Sequence, residues 1–299
     1  MQDASFLLIS IYDGRVLWYD EKKLQRGERV KTLYASDLDG TLLRADETLS
    51  RFTCETINAL VEKGMLFSYA TARSYVTASK VTGGLVAKIP MIVYNGAFVV
   101  DHLTGEALIS NFFDDGFNQL LDDLLASKIY PIVYAVADGK ERFIYVDRAC
   151  TPAMRQFVDS RRDDRRKRPV DDASCLYEGN AFYVTCIDQE EKLEPLYAKY
   201  MERYHCVYHR DIYTQTQWLE IMPKTASKAN AIRQLKALLG CERVVVFGDA
   251  RNDMDMFETA DVSCAVENAV DELKAIATHV IDANDEDGVA KWLLQNADV

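Results

Sequence analysis

The sequence has no long apolar run, no paired-cysteine pattern and little basic charge. No run of apolar residues approaches the roughly 18 needed to span a bilayer, which excludes a transmembrane helix. The early run Phe6-Leu7-Leu8-Ile9-Ser10-Ile11-Tyr12 is short, follows an acid rather than a basic segment and leads into Asp13-Gly14. It reads as one arm of a hairpin, not as a signal peptide. The 7 cysteines are odd in number, dispersed and free of any Cys-x-x-Cys pair. That pattern speaks against a disulfide scaffold and for buried free thiols in a reducing cytoplasm. Positive charge is also short: 35 Lys and Arg against 47 Asp and Glu give a net charge of -12. Such a surface repels nucleic acid and anionic membranes and favours solubility. No internal repeat or low-complexity tract is present, which excludes a repeat array.

What remains is a globular chain with a hydrophobic fraction of 48% over 299 residues. That length exceeds the size at which single cores stop growing, so two domains are expected. Two carboxylates stand one residue apart in Asp37-Leu38-Asp39-Gly40-Thr41-Leu42-Leu43, directly after the apolar run Leu33-Tyr34-Ala35. Side chains at i and i+2 of an extended chain share a face, so a strand continuing to Asp39 would let both acids converge on one reacting centre. Gly40 then permits a sharp exit. Adjacent carboxylates repel each other, and a cation or a shared proton is the usual relief. A hard cation such as Mg2+, bound by carboxylates together with substrate phosphate, fits best. The same residues also read as a plain strand-to-turn exit, since Asp-Gly is a common turn pair.

Strands alternate with helices at both ends of the chain. Ser50 to Gly64 reads as a helix with Ser50 as N-cap and Ile57, Leu60 and Val61 on one face. Met65 to Ala70 and Pro90 to Tyr94 read as strands, the first ending at Thr71-Ala72-Arg73 and the second at Asn95-Gly96. This order implies a parallel sheet with helices on its faces. From Thr104 to Ile212 the pattern changes to strands rich in Tyr, Val and Ile (130–136, 143–146, 181–187) separated by helical stretches. We read residues 104–212 as an inserted α+β domain, 31–103 and 213–299 as the two halves of one core, and 1–30 as an appended hairpin-like extension. Alternation resumes with a helix over 225–239, a strand over 244–247, a helix over 254–259 and a strand over 262–266.

A second acidic cluster, Gly248-Asp249-Ala250-Arg251-Asn252-Asp253, again follows an apolar strand. Ligands of open α/β sheets bind outside the carboxyl ends of the strands, and Asp37, Asp39, Thr71, Asn95 and Asp249 all fall on that edge. Asp249 taken alone also reads as a loop acid or a helix cap. In Lys224-Thr225-Ala226-Ser227-Lys228-Ala229-Asn230 a lysine enters the first turn of a helix, where the macrodipole disfavours a cation unless something negative lies nearby. A transferring phosphoryl group and its acceptor carboxylate would supply that charge; a solvated lysine is the other reading.

Taken together, Asp37-Leu38-Asp39-Gly40-Thr41, Thr71-Ala72-Arg73, Lys228 and Gly248-Asp249-x-x-Asn252-Asp253 resemble, in order, the four motifs of the haloacid dehalogenase-like phosphohydrolases. Tyr94-Asn95-Gly96-Ala97, Glu220-Ile221-x-Pro223-Lys224, Asn268-Ala269 and Glu286-Asp287-Gly288-Val289-Ala290 are similar to the Cof-type subgroup. The resemblance runs from Thr32 to Leu294. It implies a Rossmann-like parallel-sheet α/β core with an α+β cap inserted between the second and third motifs. It further implies a phosphatase for a small phosphorylated metabolite such as a sugar phosphate, nucleotide, flavin mononucleotide or pyridoxal phosphate. In that mechanism Asp37 attacks phosphorus to form an aspartyl-phosphate, and Asp39 protonates the leaving alkoxide and then activates water. Mg2+ is held by the Asp37 carboxylate, the Asp39 backbone carbonyl and Asp249, with Asn252 and Asp253 as direct, water-mediated or outer partners. Thr71 and Lys228 bind phosphoryl oxygens, and Ala72, Arg73, Asn95 and Asn252 adjoin the substrate. A phosphosugar mutase and a non-catalytic phosphometabolite-binding protein are the alternatives, and the chain is expected as a monomer or homodimer.

Several features stand outside this pattern. About thirty residues precede the first motif, and Ala72 replaces a common Gly. Arg251 has three readings: a substrate contact, a partner of a nearby acid, or a solvated side chain. The run from Arg161 to Arg168 is basic against the acidic whole, but its interleaved Asp163 and Asp164 favour a solvated helix end over anion capture. In His205-Cys206-Val207-Tyr208-His209 the stretch reads as extended, and imidazoles at i and i+4 of a strand do not easily share a metal.

Overall fold

The computed structural model describes residues 30–210 and 216–299 and, before them, the backbone of 6–12 and 15–20. Strands β1 (Phe6–Tyr12) and β2 (Arg15–Asp20) pair antiparallel, with Tyr12 opposite Arg15. The remainder of the expected extension up to residue 29, and the expected boundary at residues 212 and 213, lie outside the described residues.

Strand β3 (Thr32–Ser36) is buried throughout. Helix α1 (Arg51–Glu62) starts where Ser50 accepts a hydrogen bond from the Thr53 N–H, and it buries Ile57, Leu60 and Val61 on one face. Strand β4 (Leu66–Tyr69) and helix α2 (Tyr75–Val81) follow. A three-stranded antiparallel sheet comes next, made of β5 (Met91–Val93), β6 (Phe98–Val100) and β7 (Ala107–Ser110). A parallel bridge between Ala70 and Ile92 joins it to β4.

The chain then builds α3 (Phe117–Ala126), β8 (Ile132–Ala137), β9 (Lys140–Val146), α4 (Pro152–Asp159), β10 (Lys167–Val170), β11 (Asn180–Asp188), α5 (Glu190–Tyr200), β12 (His205–Arg210) and β13 (Gln217–Met222). Their six strands form one sheet in the order β10-β9-β8-β11-β13-β12. The return segment adds α6 (Lys228–Leu239), β14 (Arg243–Gly248), α7 (Met254–Thr259), β15 (Val262–Val266), α8 (Asp271–Ile276), β16 (His279–Ile281) and α9 (Gly288–Asn296). It completes a parallel sheet in the order β16-β15-β14-β3-β4. Leu33 to Ala35 and Val244 to Phe247 are buried, the near-continuous apolar runs of strands covered on both faces.

Hydrogen bonding draws the sheets at other residues than the 104–212 reading. β7 pairs with β6 and so stays with the core side, whereas β13 pairs with both β11 and β12 in the sheet of the insert. Composition did not distinguish these two strands, because which neighbour an apolar strand pairs with is a long-range choice.

Candidate active site

Register brings the two acidic motifs together. Ser36 lies opposite Phe247, and the Asp37 N–H donates to the Phe247 carbonyl at 2.9 Å. The loops leaving β3 and β14 therefore emerge side by side. Leu38 takes helical angles and buries its side chain, so the extended run stops at Asp37. The consequence differs from the i, i+2 expectation. Asp37 is buried, while the Asp39 side chain is 48% exposed and held by the Arg73 guanidinium, with Nε at 2.8 Å and Nη2 at 2.5 Å. Arg73 reaches Glu47 as well, at 2.8 Å. Gly40 turns the loop with φ of 76°, and a Cβ there would overlap the Asp249 carboxylate. No other residue allows so close an approach. Thr41 Oγ1 donates to Asp249 Oδ1 at 2.9 Å.

Lys228 is the cation of the cluster. Ser227 caps α6 by accepting from the Asn230 N–H, which fixes Lys228 as the first helical residue. Its Nζ donates to Asp37 Oδ1 at 2.6 Å and Asp253 Oδ1 at 2.7 Å, and the side chain is 1% exposed. Burial alone pulls the Lys228 pKa down, but Asp253 and Asp37 outweigh it and hold the ammonium above its ordinary range. Asp253 is spoken for on both oxygens, since Oδ2 accepts from the N–H groups of Asp249 (3.0 Å) and Ala250 (3.1 Å). It therefore shapes the loop and positions Lys228.

The second motif lies across from these acids. Thr71 is fully buried, its hydroxyl accepting from the Arg73 N–H at 3.1 Å and its carbonyl from the Asn95 N–H at 2.8 Å. Ala72 and Arg73 line the adjoining cavity. Tyr94, Asn95 and Gly96 all take positive φ, at 52°, 51° and 96°, and a Cβ on Gly96 would overlap the Ser227 backbone carbonyl. This turn is thus packed directly on the helix start that carries Lys228. Gly96→Ala is expected to cost roughly 2–3 kcal/mol, because strain and backbone overlap act at one residue. An unfolding free energy in urea within about 0.5 kcal/mol of the wild type, at unchanged m, would contradict that packing argument.

The carboxylate oxygens of Asp37, Asp249 and Asp253 lie within 4.8 Å of one another. Burial, then Asp253, raises the Asp249 pKa to about 6. Burial raises that of Asp37 as well, with Lys228 opposing and Asp253 and Asp249 reinforcing. Three acids and one ammonium leave two negative charges unbalanced. An all-oxygen donor set with that deficit fits a hard divalent cation such as Mg2+. Asn252 is half-buried on the same turn, whereas Arg251 pairs with Glu272 at 2.5 Å, the second of its three readings. Millimolar Mg2+ is expected to stabilise the folded state through preferential binding, by about 2.7 kcal/mol at a hundredfold excess over Kd, and so to raise Tm. Asp249→Asn should remove most of that shift in a calorimetric scan; an undiminished shift would place the ion elsewhere.

Beside these residues, between the core and the inserted sheet, lies a cavity of ≈ 590 Å³. Asp39 and Arg73 line it from the core, and Tyr134, Tyr183, Trp218 and Glu220 from the insert. Burial pushes the Glu220 carboxyl up to about 7, with a Tyr183 hydrogen bond opposing. Asn95 Nδ2 donates to the Tyr183 hydroxyl at 3.4 Å, linking the second motif to this wall. These wall residues escaped the sequence reading, apart from Glu220 as part of a motif without a role. Their signal is the i, i+2 spacing of Tyr183 and Thr185 and of Trp218 and Glu220 along paired strands. The basic run is divided: Arg161 and Arg166 line the cavity, and Arg168 pairs with Glu178. His205 to His209 form part of β12, and among the described residues they belong to no metal-ligand cluster. All seven cysteines are free. No helix among the described residues is long and apolar enough to cross a membrane.

A parallel sheet whose carboxyl edge gathers acids, a buried lysine and a capped cavity defines a phosphatase-type α/β hydrolase. The chain belongs to the haloacid dehalogenase-like hydrolases, whose family profile matches residues 34–293, and its further motifs are of Cof type. It is 29% identical over 269 residues to the 5-amino-6-(5-phospho-D-ribitylamino)uracil phosphatase YitU of Bacillus subtilis, covering 87% of this chain and 96% of that protein. It is equally 29% identical over 286 residues to YwtE of the same organism, which carries the same activity name, with 87% and 96% covered. The fold matches the crystal structure of TM0651 from Thermotoga maritima with a TM-score of 0.72 at 22% identity, over 91% of this chain and 98% of that one.

Proposed function

We propose that the protein hydrolyses the phosphate monoester of a small metabolite, with Asp37 as nucleophile and Asp39 as general acid and base. The observation that carries this reading is the buried Lys228 ammonium 2.6 Å from Asp37, in a cluster two positive charges short. A nucleophile so placed has one oxygen fixed by Lys228, while Thr71 and the ammonium offer donors to phosphoryl oxygens. Arg73 keeps the Asp39 carboxylate at the cavity wall, on the side from which a leaving group would depart. Mg2+ would be held by Asp37, the Asp39 carbonyl and Asp249, with Asn252 and Asp253 behind them; when bound it neutralises phosphate charge. Attack by Asp37 releases an alcohol that takes its proton from Asp39, and the same carboxylate then draws a proton from the water that cleaves the aspartyl-phosphate.

The activity names of YitU and YwtE support a small phosphorylated metabolite as the substrate. Seven free thiols support a reducing, cytoplasmic setting. The test is phosphate release from p-nitrophenyl phosphate with and without Mg2+, beside Asp37→Asn. Turnover that is independent of both Mg2+ and Asp37 would remove the reading.

A further inference from the structure

A bulky side chain disfavours left-handed backbone, because its Cβ crowds the following carbonyl oxygen, yet Tyr94 holds φ of 52° with Asn95 at 51° directly after it. Such strain persists only where the surroundings over-determine it. On the core side the turn serves the second motif. The Tyr94 N–H donates to the Arg73 carbonyl at 3.0 Å, and the Asn95 N–H to the Thr71 carbonyl at 2.8 Å. Thr71 and Arg73 are therefore both held from this one turn.

On its other side Tyr94 belongs to the insert. Its ring is buried, with centroids 5.1 Å from Phe182 of β11 and 5.9 Å from Tyr134 of β8. Its hydroxyl donates to Glu141 Oε1 of β9 and accepts from Arg166 Nη1 at 2.5 Å. Burial first, and Glu141 next, hold the Tyr94 pKa well above its ordinary value, so the phenol stays a donor. Arg166 Nη1 also donates to Glu141 Oε1 at 2.7 Å, while Nε and Nη2 donate to Asp164 at 2.9 and 2.5 Å. Four of the guanidinium's five N–H donors are thereby taken. Arg166 lines the cavity but keeps little to offer a substrate. It is fixed to the sheet as well, since its carbonyl accepts from the Phe143 N–H at 3.0 Å. Asp164 alone would neutralise this cation. The second arm of its fork reaches into the core turn instead.

Resting on the phosphatase reading above, we propose that Tyr94, Glu141 and Arg166 are positioning residues: through the Tyr94 hydroxyl the inserted sheet fixes the turn that holds Thr71 and Arg73, and so sets the Thr71 donor and the Arg73 grip on Asp39. Their effect needs no contact with the substrate. The insert then acts on the reacting end of the site as well as on the cavity wall.

Tyr94→Phe removes only the hydroxyl, and acetyl phosphate and p-nitrophenyl phosphate read the reacting end with two different leaving groups. The variant should lower kcat about tenfold for both, the scale of one hydrogen bond to a charged group, with KM changed by less than about twofold. Glu141→Ala should do the same, and the double variant should be no slower than the slower single one, because both act through one link. A tie that serves only the fold would lower Tm and leave kcat unchanged at temperatures where the variants are folded. That result, losses that multiply in the double variant, or losses carried by KM would each overturn the proposal. Amide hydrogen exchange reads the link without turnover. The Thr71 N–H, bonded to the Ile92 carbonyl at 3.1 Å, and the Arg73 N–H, bonded to Thr71 Oγ1 at 3.1 Å, should exchange faster in both single variants while β15 exchanges as in the wild type. Unchanged exchange at Thr71 and Arg73 sinks the link. If the wild type hydrolyses neither compound, the phosphatase reading falls and the exchange rates decide the link alone.

Discussion

Asp37→Asn is expected to lower phosphate release by at least about a thousandfold, the scale of losing a nucleophile that acts as part of a unit, and at the same time to make the metal-free protein more stable. The two effects have one origin. The substituted amide keeps the side-chain shape and an oxygen that can accept from Lys228, so the geometry at 2.6 Å can persist. What disappears is a negative charge buried beside Asp249 and Asp253. The folded-state pKa of Asp37 lies above its ordinary value, so near neutrality the ionised form is less favourable in the folded than in the unfolded chain. A neutral isostere removes that penalty, and a gain on the order of 1 kcal/mol is the size such relief of functional strain commonly has. Thermal scans in EDTA should show Tm rising in the variant. Scans in saturating Mg2+ should reverse the order, because the wild type then gains a bound cation that the variant holds poorly. A variant less stable than the wild type in EDTA would mean that Lys228 neutralises Asp37 fully, and the case for a missing cation would weaken.

How far the sequence reveals this site depends on which interactions are local. The cap of α1 by Ser50 is legible because a hydroxyl and the N–H three residues on are decided within one turn; the start of α6 is not, since the sequence reads as helix from residue 225 and the Ser227 cap begins it at Lys228. Asp37 and Asp249 are legible as partners once both are placed at strand ends, since parallel strands share a carboxyl edge. The separation of Asp37 from Asp39 is not. It rests on Leu38 adopting helical angles to reach the core and on Arg73, 34 residues away, taking hold of Asp39. Glu220 shows the same limit from the other side. Its alternation with Trp218 announces a strand face, but only pairing with β11 and apposition to Arg73 and Asp39 make that face a cavity wall. The Arg161 to Arg168 run could be read as solvated because a charge run carries no record of its partners; Arg166 found Asp164 and Glu141, and Arg161 found an aromatic ring.

Lys228→Met should act in the opposite direction to Asp37→Asn on stability and in the same direction on activity. Methionine matches the length and apolar stem of lysine, so the volume beneath α6 stays filled. The loss is the ammonium shared by two carboxylates, one 7% and the other 0% exposed. Breaking a buried ion pair by removing one partner costs about 3–5 kcal/mol, because the surviving charge is left without water or counter-charge. For a chain of this size that corresponds to a fall in Tm of roughly 6–15 °C. The direction follows from the pKa shifts: with the cation gone, Asp37 and Asp253 both repel Asp249 unopposed, and the folded state must bind protons to survive. Stability of the variant should therefore climb as pH is lowered from about 8 to about 5, more steeply than in the wild type, since the folded state now holds more protons than the unfolded one. Adding Asp253→Asn should recover a large part of the stability by removing one of the two stranded charges, yet leave phosphate release at least about a hundredfold down, as no donor then faces the phosphoryl oxygen from α6. That split separates a lysine that merely neutralises its neighbours from one that also meets the substrate. If the double variant regained activity together with stability, Lys228 would be a structural counter-ion only, and the charge on the transferring phosphoryl group would have to be met by Thr71 and the metal.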